Sequence, residues 1–300
     1  MSDVFDSVEL IDTHQHLLYR DALRYEWADD LPPLEKGDFG IADYQRLTAG
    51  KTVAGTIFME VDAADYKAET RLISQLAQDS DNHILGIISS CRPESDDGFE
   101  AWLDECASLP VVGYRRILHE VADDLSQSDT FRRNVRSIGH RERTFDMVFR
   151  ADQLGIAYEL AMACDNTRLI LDHCGVPDIA SDMARGEFRQ WRDAISKLAS
   201  LPHVNGKLSG ILAYCPQGHA NAETIRPYVQ HMIDSFTPNR LVWGSDWPVV
   251  NLRSSLPDWI DIFRDLIGEL SPAEQRAICS GNVQRIYAGI RIGGGSMDGD

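Results

Sequence analysis

An apolar run followed by an amphipathic helical stretch recurs along most of the chain, and this alternation limits the fold more than any other feature. The predicted strands are 8–13, 53–60, 83–90, 111–117, 156–160, 168–173, 204–209 and 240–246. Stretches with apolar residues three and four positions apart separate several of them, at 69–78, 98–106, 145–154, 187–201 and 224–236. Eight strands that are apolar nearly throughout indicate a closed parallel barrel, the (β/α)8 TIM barrel. An open doubly wound sheet is the main competitor, although no glycine fingerprint for a dinucleotide follows any strand.

The length of 300 residues suits one barrel. We predict a single catalytic domain over residues 1–292, with a loop insertion at about 17–43 and a disordered tail at 293–300. The insertion carries Tyr25, Trp27 and Phe39, which favours an ordered wall over the strand ends rather than a mobile loop. A closing helix is predicted to begin after Ser271, because a proline and a glutamate follow this N-cap at the expected positions.

A formal net charge of −18 argues against nucleic acid or an anionic membrane surface as a partner. No apolar run approaches the ~20 residues of a membrane span, and the first residues lack the pattern of a signal peptide. The expected partner is a small molecule in the cytoplasm, and a homo-oligomer is compatible with the sequence.

Two histidines one residue apart, His14 and His16, project from one face of the first predicted strand. With His173 after the sixth strand and Asp246 after the eighth, they form a set that could bind one divalent ion and hold a water against it. Nitrogen-rich ligation favours zinc. The alternatives are solvated loop histidines and a local hydrogen-bonded pair of Asp172 and His173.

Other side chains near the predicted strand ends are candidates for substrate contacts. They are Trp27, Glu60, Arg115, Arg116, His119, Glu159, Lys207 and Trp247. Because adjacent strand residues face opposite ways, at most one of Arg115 and Arg116 can point into the barrel mouth, and the pattern does not decide which. His119 is either a substrate partner or an exposed loop residue, and the tryptophans either stack on a sugar or pack.

Five motifs in this order resemble the amidohydrolase superfamily from about residue 8 to 287. They are Asp12-Thr13-His14-Gln15-His16, Val112-Gly113-Tyr114-Arg115-Arg116-Ile117-Leu118-His119, Leu171-Asp172-His173-Cys174-Gly175-Val176-Pro177, Gly206-Lys207-Leu208-Ser209-Gly210 and Trp243-Gly244-Ser245-Asp246-Trp247-Pro248. Within the superfamily, the chain most resembles the L-fucono- and L-rhamnono-lactonases and the 2-pyrone-4,6-dicarboxylate lactonases. The resemblance implies a distorted (β/α)8 barrel that hydrolyses a lactone ring.

The resemblance also implies roles for individual residues. His14 and His16 become the first-strand pair, His173 the sixth-strand histidine and Asp246 the eighth-strand aspartate. Two departures from the binuclear members stand out: the fourth strand carries arginines in place of a bridging lysine or glutamate, and Glu159 stands where many carry a metal-binding histidine. One zinc-like ion is therefore expected, and the alternative is a metal-independent site whose histidines donate hydrogen bonds to the lactone carbonyl.

The expected reaction opens a lactone by water that Asp246 activates as general base, with His14, His16 and His173 stabilising the oxyanion directly or through the ion. Mixed charges at the strand ends favour a neutral sugar aldonolactone over a dicarboxylate. The alternatives are a decarboxylase or lactone isomerase of the same fold and, from another class, a non-catalytic barrel that binds a ligand.

Overall fold

A computed structural model describes residues 8–35, 37–185 and 188–290 and contains one eight-stranded parallel sheet. The strands are β1 (Leu10–Gln15), β2 (Val53–Met59), β3 (Ile84–Ser90), β4 (Val111–Ile117), β5 (Thr144–Val148), β6 (Leu169–Leu171), β7 (Val204–Leu208) and β8 (Leu241–Trp243). They pair in chain order. The two edges also meet, because the backbone N–H of His16 donates to the Trp247 carbonyl at 2.8 Å and that of Asp246 donates to the His14 carbonyl at 2.8 Å. The predicted (β/α)8 barrel is confirmed.

Helices surround this barrel and bury its outer face. They are α1 (Glu26–Asp29), α2 (Ile41–Thr48), α3 (Tyr66–Leu76), α4 (Phe99–Cys106), α5 (Asp129–His140), α6 (Leu154–Ala163), α7 (Ile179–Arg185), α8 (Arg189–Ala199), α9 (Ala222–Phe236), α10 (Leu256–Leu266), α11 (Pro272–Arg276) and α12 (Asn282–Ile286). In the part of the chain that the structure describes, no helix combines the length and the apolar character that crossing a bilayer requires.

A separate apolar cluster fills the inside of the barrel. It joins Ile57, Ile88 and Val242 to Val283 and Tyr287. The amide of Asn282 donates to the Leu241 carbonyl at 2.8 Å, where β8 begins. The C-terminal segment therefore closes the amino-terminal end of the barrel, and the carboxyl ends of the strands are left for the site.

The fifth strand was predicted wrongly. Residues 156–160 lie within α6, and the strand is Thr144–Val148, which overlaps the stretch 145–154 for which the apolar spacing predicts a helix. The buried residues of α6, Leu154, Ala157, Leu160 and Ala161, follow helical spacing. The strand was missed because it is short and an aspartate interrupts its apolar residues.

Outside the strands, the sequence also makes predictions for the start of the closing helix, for segment 17–43 and for the C-terminal tail. The N-cap at Ser271 is confirmed as a reciprocal capping box with Glu274, and the chain continues from α11 through a π-helical turn at Ala277–Gly281 into α12. Segment 17–43 contains α1 and the start of α2, and its buried residues include Leu18 and Tyr25, which pack with Val61. The predicted tail at 293–300 and the predicted helix start at 187 lie outside the described residues.

Candidate active site

The junction of β1 with β8 places the first histidine pair beside Asp246. The Asp12 carboxylate accepts hydrogen bonds from the backbone N–H groups of His14 at 3.0 Å and Ser245 at 2.8 Å. The Tyr44 hydroxyl donates to its other oxygen at 2.6 Å. Asp12 is fully buried and thereby joins the two strand ends that carry the site.

His16 and Asp246 form the closest contact between the predicted site residues. His16 Nε2 lies 3.2 Å from Asp246 Oδ1. His16 Nδ1 lies 2.9 Å from the Met59 carbonyl, which can only accept, so Nδ1 carries the hydrogen. The lone pair of a neutral His16 then faces the Asp246 carboxylate, and this geometry calls for a proton or a metal ion between the two atoms.

His173 reaches the site from the turn after β6. Ser209 Oγ lies 3.0 Å from His173 Nδ1, so the hydroxyl orients the ring. Gly210 allows this approach, because a Cβ at that position would lie 2.2 Å from His173 Nδ1 and the backbone there has a φ of +61°. The rings of His14 and His173 are 4.5 Å apart between centroids, and those of His14 and His16 are 4.8 Å apart.

A layer of buried charges lies around and beneath His14. Arg115 Nη1 lies 3.2 Å from His14 Nε2, and its Nε donates to Glu60 at 2.6 Å. The fully buried Lys207 donates to Asp146 at 2.5 Å and lies 3.0 Å from Asp172. Cations and carboxylates alternate here, which is how charges are accommodated away from water.

Burial lowers the pKa of His14 well below its ordinary value and also lowers that of His173. The same cause lowers the pKa of His119 to about 4. Burial raises the pKa of Asp146 to about 7 against the pull of Lys207. Burial opposes ionisation of Glu60 as well, but Arg115 outweighs it and lowers the pKa of Glu60. His14, His173 and His119 are therefore neutral imidazoles at neutral pH.

A cavity of about 430 Å³ opens above this layer at the carboxyl ends of the strands. Its lining consists of His16, Trp27, Leu31, Val61, Asp62, Arg115, Ile117, His119, Glu120, His173, Tyr214, Asp246 and Val249. The volume is in the range of small-molecule sites. Asp62, His173 and Asp246 all have positive φ angles, a conformation that non-glycine residues rarely adopt and that concentrates at functional sites.

The structure brings together six of the residues predicted to form the site or contact a substrate. His16, Trp27, Arg115, His119, His173 and Asp246 line the cavity. His14 lies directly behind them, fully buried. Arg115 is the arginine that faces the barrel mouth.

Five other predicted contacts lie away from the cavity lining. Glu60 and Lys207 are buried in ion pairs, and Arg116 pairs with Glu94 at 3.0 Å. Trp247 packs against Phe39 and Tyr44.

Glu159 is mostly exposed on α6, 3.8 Å from Arg132, because the strand that would have ended there is a helix.

Some residues at the site escaped the sequence prediction. Asp62, Glu120 and Tyr214 line the cavity from loops, which have no periodicity that would single them out. Asp146 did carry a signal, since it is the one charged residue in the apolar run of β5.

Two groups of side chains in the described residues could hold a metal ion, and they share His14. One is His14, His16 and Asp246, and the other is His14, Asp172 and His173; within each group the donor atoms lie within 4.8 Å of one another. The His16 and Asp246 atoms fit a divalent ion well, because a lone pair and a carboxylate already face each other there.

The family model described as amidohydrolase matches residues 11–289. This chain belongs to the amidohydrolase family. The match covers β1 from its second residue, all of β2 to β8 and both ends of the site.

Similar proteins agree with this assignment of the amidohydrolase chain. It is 28% identical to an L-fucono-1,5-lactonase of Burkholderia multivorans, over 93% of this chain and 95% of that one. It is 25% identical to a 2-pyrone-4,6-dicarboxylate hydrolase of Comamonas testosteroni, over 76% and 74%. The crystal structure of an amidohydrolase from Burkholderia multivorans with bound Zn superposes with a TM-score of 0.83 at 26% identity, over 93% of this chain and 99% of that one.

Proposed function

We propose that this amidohydrolase hydrolyses the ring ester of a lactone, and that the substrate is a neutral sugar aldonolactone. The observation that carries the proposal is the position of Asp246, whose carboxylate lines the cavity 3.2 Å from His16. The similarity to an L-fucono-1,5-lactonase over nearly the whole chain supports the same reaction class.

Asp246 acts as the general base in this proposal. A water beside its carboxylate loses a proton to Asp246 while its oxygen attacks the lactone carbonyl carbon. The backbone N–H of Asp246 is bound to the His14 carbonyl, and this bond holds the carboxylate toward the cavity. Asp246 then returns the proton to the ring oxygen as the carbon–oxygen bond breaks, which yields the hydroxy acid.

The negative charge of the tetrahedral intermediate develops on the former carbonyl oxygen. Arg115 and His173 line the same cavity as Asp246, are held in place by Glu60 and Ser209 respectively, and are the groups that would stabilise this oxyanion. Groups oriented before the reaction stabilise developing charge without reorganising. His119 and Tyr214 supply further polar atoms for substrate hydroxyls.

His16 and Asp246 would hold a divalent metal, and nitrogen ligation favours zinc among the common ions. Such an ion would polarise the lactone carbonyl and favour ionisation of water. Whether or not an ion is bound, His16 keeps its orientation through the Met59 carbonyl.

The charges of the cavity lining favour a neutral substrate. Asp62, Glu120 and Asp246 contribute three carboxylates, whereas Arg115 is the one lysine or arginine among the lining residues and is already paired with Glu60. A dicarboxylate would meet repulsion from these groups. Trp27, fixed by a 2.8 Å hydrogen bond from its indole to the Val61 carbonyl, offers an apolar face for a sugar ring.

A panel of lactones assayed with a pH indicator tests the proposal. Ring opening releases acid, so we expect colour change with neutral sugar lactones and little with dicarboxylate lactones. An absence of acid release from every lactone would contradict hydrolysis, and release of carbon dioxide from an aromatic acid would identify a decarboxylase instead.

A further inference from the structure

The two ring nitrogens of His14 each face one side-chain cation and one carboxylate. At Nε2 these are Arg115 Nη1 at 3.2 Å and Asp246 Oδ1 at 3.6 Å. At Nδ1 they are Lys207 Nζ at 3.5 Å and Asp172 Oδ1 at 3.6 Å. The arrangement is the same at both ends of the ring.

A neutral imidazole has one N–H and one lone pair. Whichever tautomer His14 adopts, the N–H can point to a carboxylate and the lone pair meets a cation. A metal ion needs that lone pair. Both groups that could hold a metal include His14. A buried cation already faces each ring nitrogen of His14: the Arg115 guanidinium at Nε2 and the Lys207 ammonium at Nδ1.

Neither cation is free to leave. Arg115 donates through Nε to the Glu60 carboxylate at 2.6 Å and through Nη2 to the Glu60 carbonyl at 2.5 Å. The side chain of Glu60 is 1% exposed, so withdrawal of Arg115 would strand a buried carboxylate. Lys207 is fully buried between Asp146 and Asp172.

We propose that Arg115 and Lys207 are the resident cations of this site and keep divalent metal off His14, so that the protein ligands of any bound ion are His16 and Asp246. Two protein ligands bind a metal weakly compared with three. Removal of Arg115 frees the Nε2 lone pair, which lies in the same group of donor atoms as His16 and Asp246, and should therefore create a third ligand.

The test is a titration of the metal-free protein with Co²⁺ alone. Calorimetry measures the affinity, and the visible absorption spectrum of the bound ion reports its ligands. The variant is Arg115→Met combined with Glu60→Gln, which removes both members of the ion pair. We expect it to bind Co²⁺ at least tenfold more tightly than the wild type, with a changed absorption spectrum. The matched control is Arg116→Met with Glu94→Gln, the pair one position along the same strand, and it should bind as the wild type does.

His14→Asn in both backgrounds decides the question. We expect it to change Co²⁺ affinity less than threefold in the wild type and to cancel the gain in the double variant. Equal losses in the two backgrounds, or a double variant that folds and binds no more tightly than the wild type, would overturn the proposal. If the double variant does not fold, the comparison of the wild type with the single variant His14→Asn still tests the proposal. A loss of Co²⁺ binding in that single variant would show that His14 is a metal ligand and would overturn the proposal. These measurements do not use lactone turnover, so they stand apart from the proposed reaction.

Discussion

Asp246 depends on a backbone conformation that few non-glycine residues adopt. Its φ of +57° turns the chain sharply after β8, and its N–H bonds to the His14 carbonyl at 2.8 Å. The preceding Gly244 lets the two strands approach, since a Cβ there would lie 2.5 Å from the Cβ of His14. The position of the proposed base is therefore set by the strand junction as well as by its own side chain.

Replacement of Asp246 by asparagine tests its role as base. The amide keeps the size of the carboxylate and can donate to His16, so the fold should persist while proton transfer is lost. We expect kcat on the best lactone to fall by about 10²–10⁴-fold. Asp193→Asn, at an exposed position of α8, is the control, and unchanged turnover in Asp246→Asn would remove Asp246 from the mechanism.

His119 should make the fold sensitive to acid. Its pKa is lowered to about 4, whereas an unfolded histidine titrates near 6.5, so the unfolded state takes up a proton first as the pH falls. The neutral His119 ring therefore makes its full contribution to the free energy of unfolding above about pH 6.5, and this contribution is lost as the pH falls toward 4.

Urea unfolding at pH 7 and pH 4.5 measures this effect. We expect the loss of unfolding free energy between these values to be smaller by about 2 kcal/mol in His119→Gln than in the wild type. His14 and His173, whose pKa values are also lowered, contribute to the acid sensitivity that remains in His119→Gln. Equal losses in wild type and variant would contradict the predicted role of His119.

At the scale of elements, the site rests on side chains that cross the barrel interior. Lys207 on β7 reaches Asp146 on β5 and Asp172 at the end of β6, and the Tyr287 hydroxyl after α12 lies 3.3 Å from Asp146. This network ties three strands to the segment that closes the barrel. It explains why a lysine predicted to touch substrate lies instead beneath the histidines.

Lys207→Met should destabilise the barrel strongly, because it leaves two carboxylates buried without their shared cation. We expect a loss of about 3–5 kcal/mol in unfolding free energy, measured by urea denaturation. Adding Asp146→Asn should restore a large part of the loss. Lys197→Met on the exposed face of α8 removes only a contact of the ammonium with the Tyr158 ring and should change stability by no more than about 1 kcal/mol.

An effect of Lys207→Met no larger than that of Lys197→Met would show that the network does not support the fold.

For the whole molecule, the net charge of −18 and the local charge of the cavity act in the same direction. Both disfavour an anionic substrate, and both favour departure of the anionic product. The two contributions can be separated, because the cavity carboxylates Asp62 and Glu120 lie close to the substrate whereas most acidic residues are remote.

Combined Asp62→Asn and Glu120→Gln should relax the discrimination by charge. We expect the ratio of kcat/KM for a dicarboxylate lactone to that for a neutral sugar lactone to rise about tenfold, as like-charge repulsion falls by about 1.4 kcal/mol. Asp193→Asn with Glu159→Gln changes the net charge equally at exposed positions far from the cavity. A similar rise in that control would assign discrimination to the overall charge.

The barrel itself was predictable, because hydrophobic periodicity reports which faces of each segment are buried. Seven strands follow from that pattern, and the strand ends already contain His14, His16, His173 and Asp246. The fifth strand failed because periodicity in a short apolar run does not separate a buried strand from a buried helix. Glu159 was therefore assigned to a strand end, and Asp146 was overlooked.

Local sequence by itself determined the repeated unit, the capping of α11 and the residues that can do chemistry, since each depends on neighbours a few positions away. Only the tertiary structure decided which polar residues face the cavity and which pair beneath it. Arg115 and Arg116 are adjacent in sequence, yet one meets Glu60 and His14 inside the barrel and the other meets Glu94. The physical reason is that burial and ion pairing depend on residues brought together by closure of the barrel, and such partners can be distant in sequence, as His16 and Asp246 are at 230 positions apart.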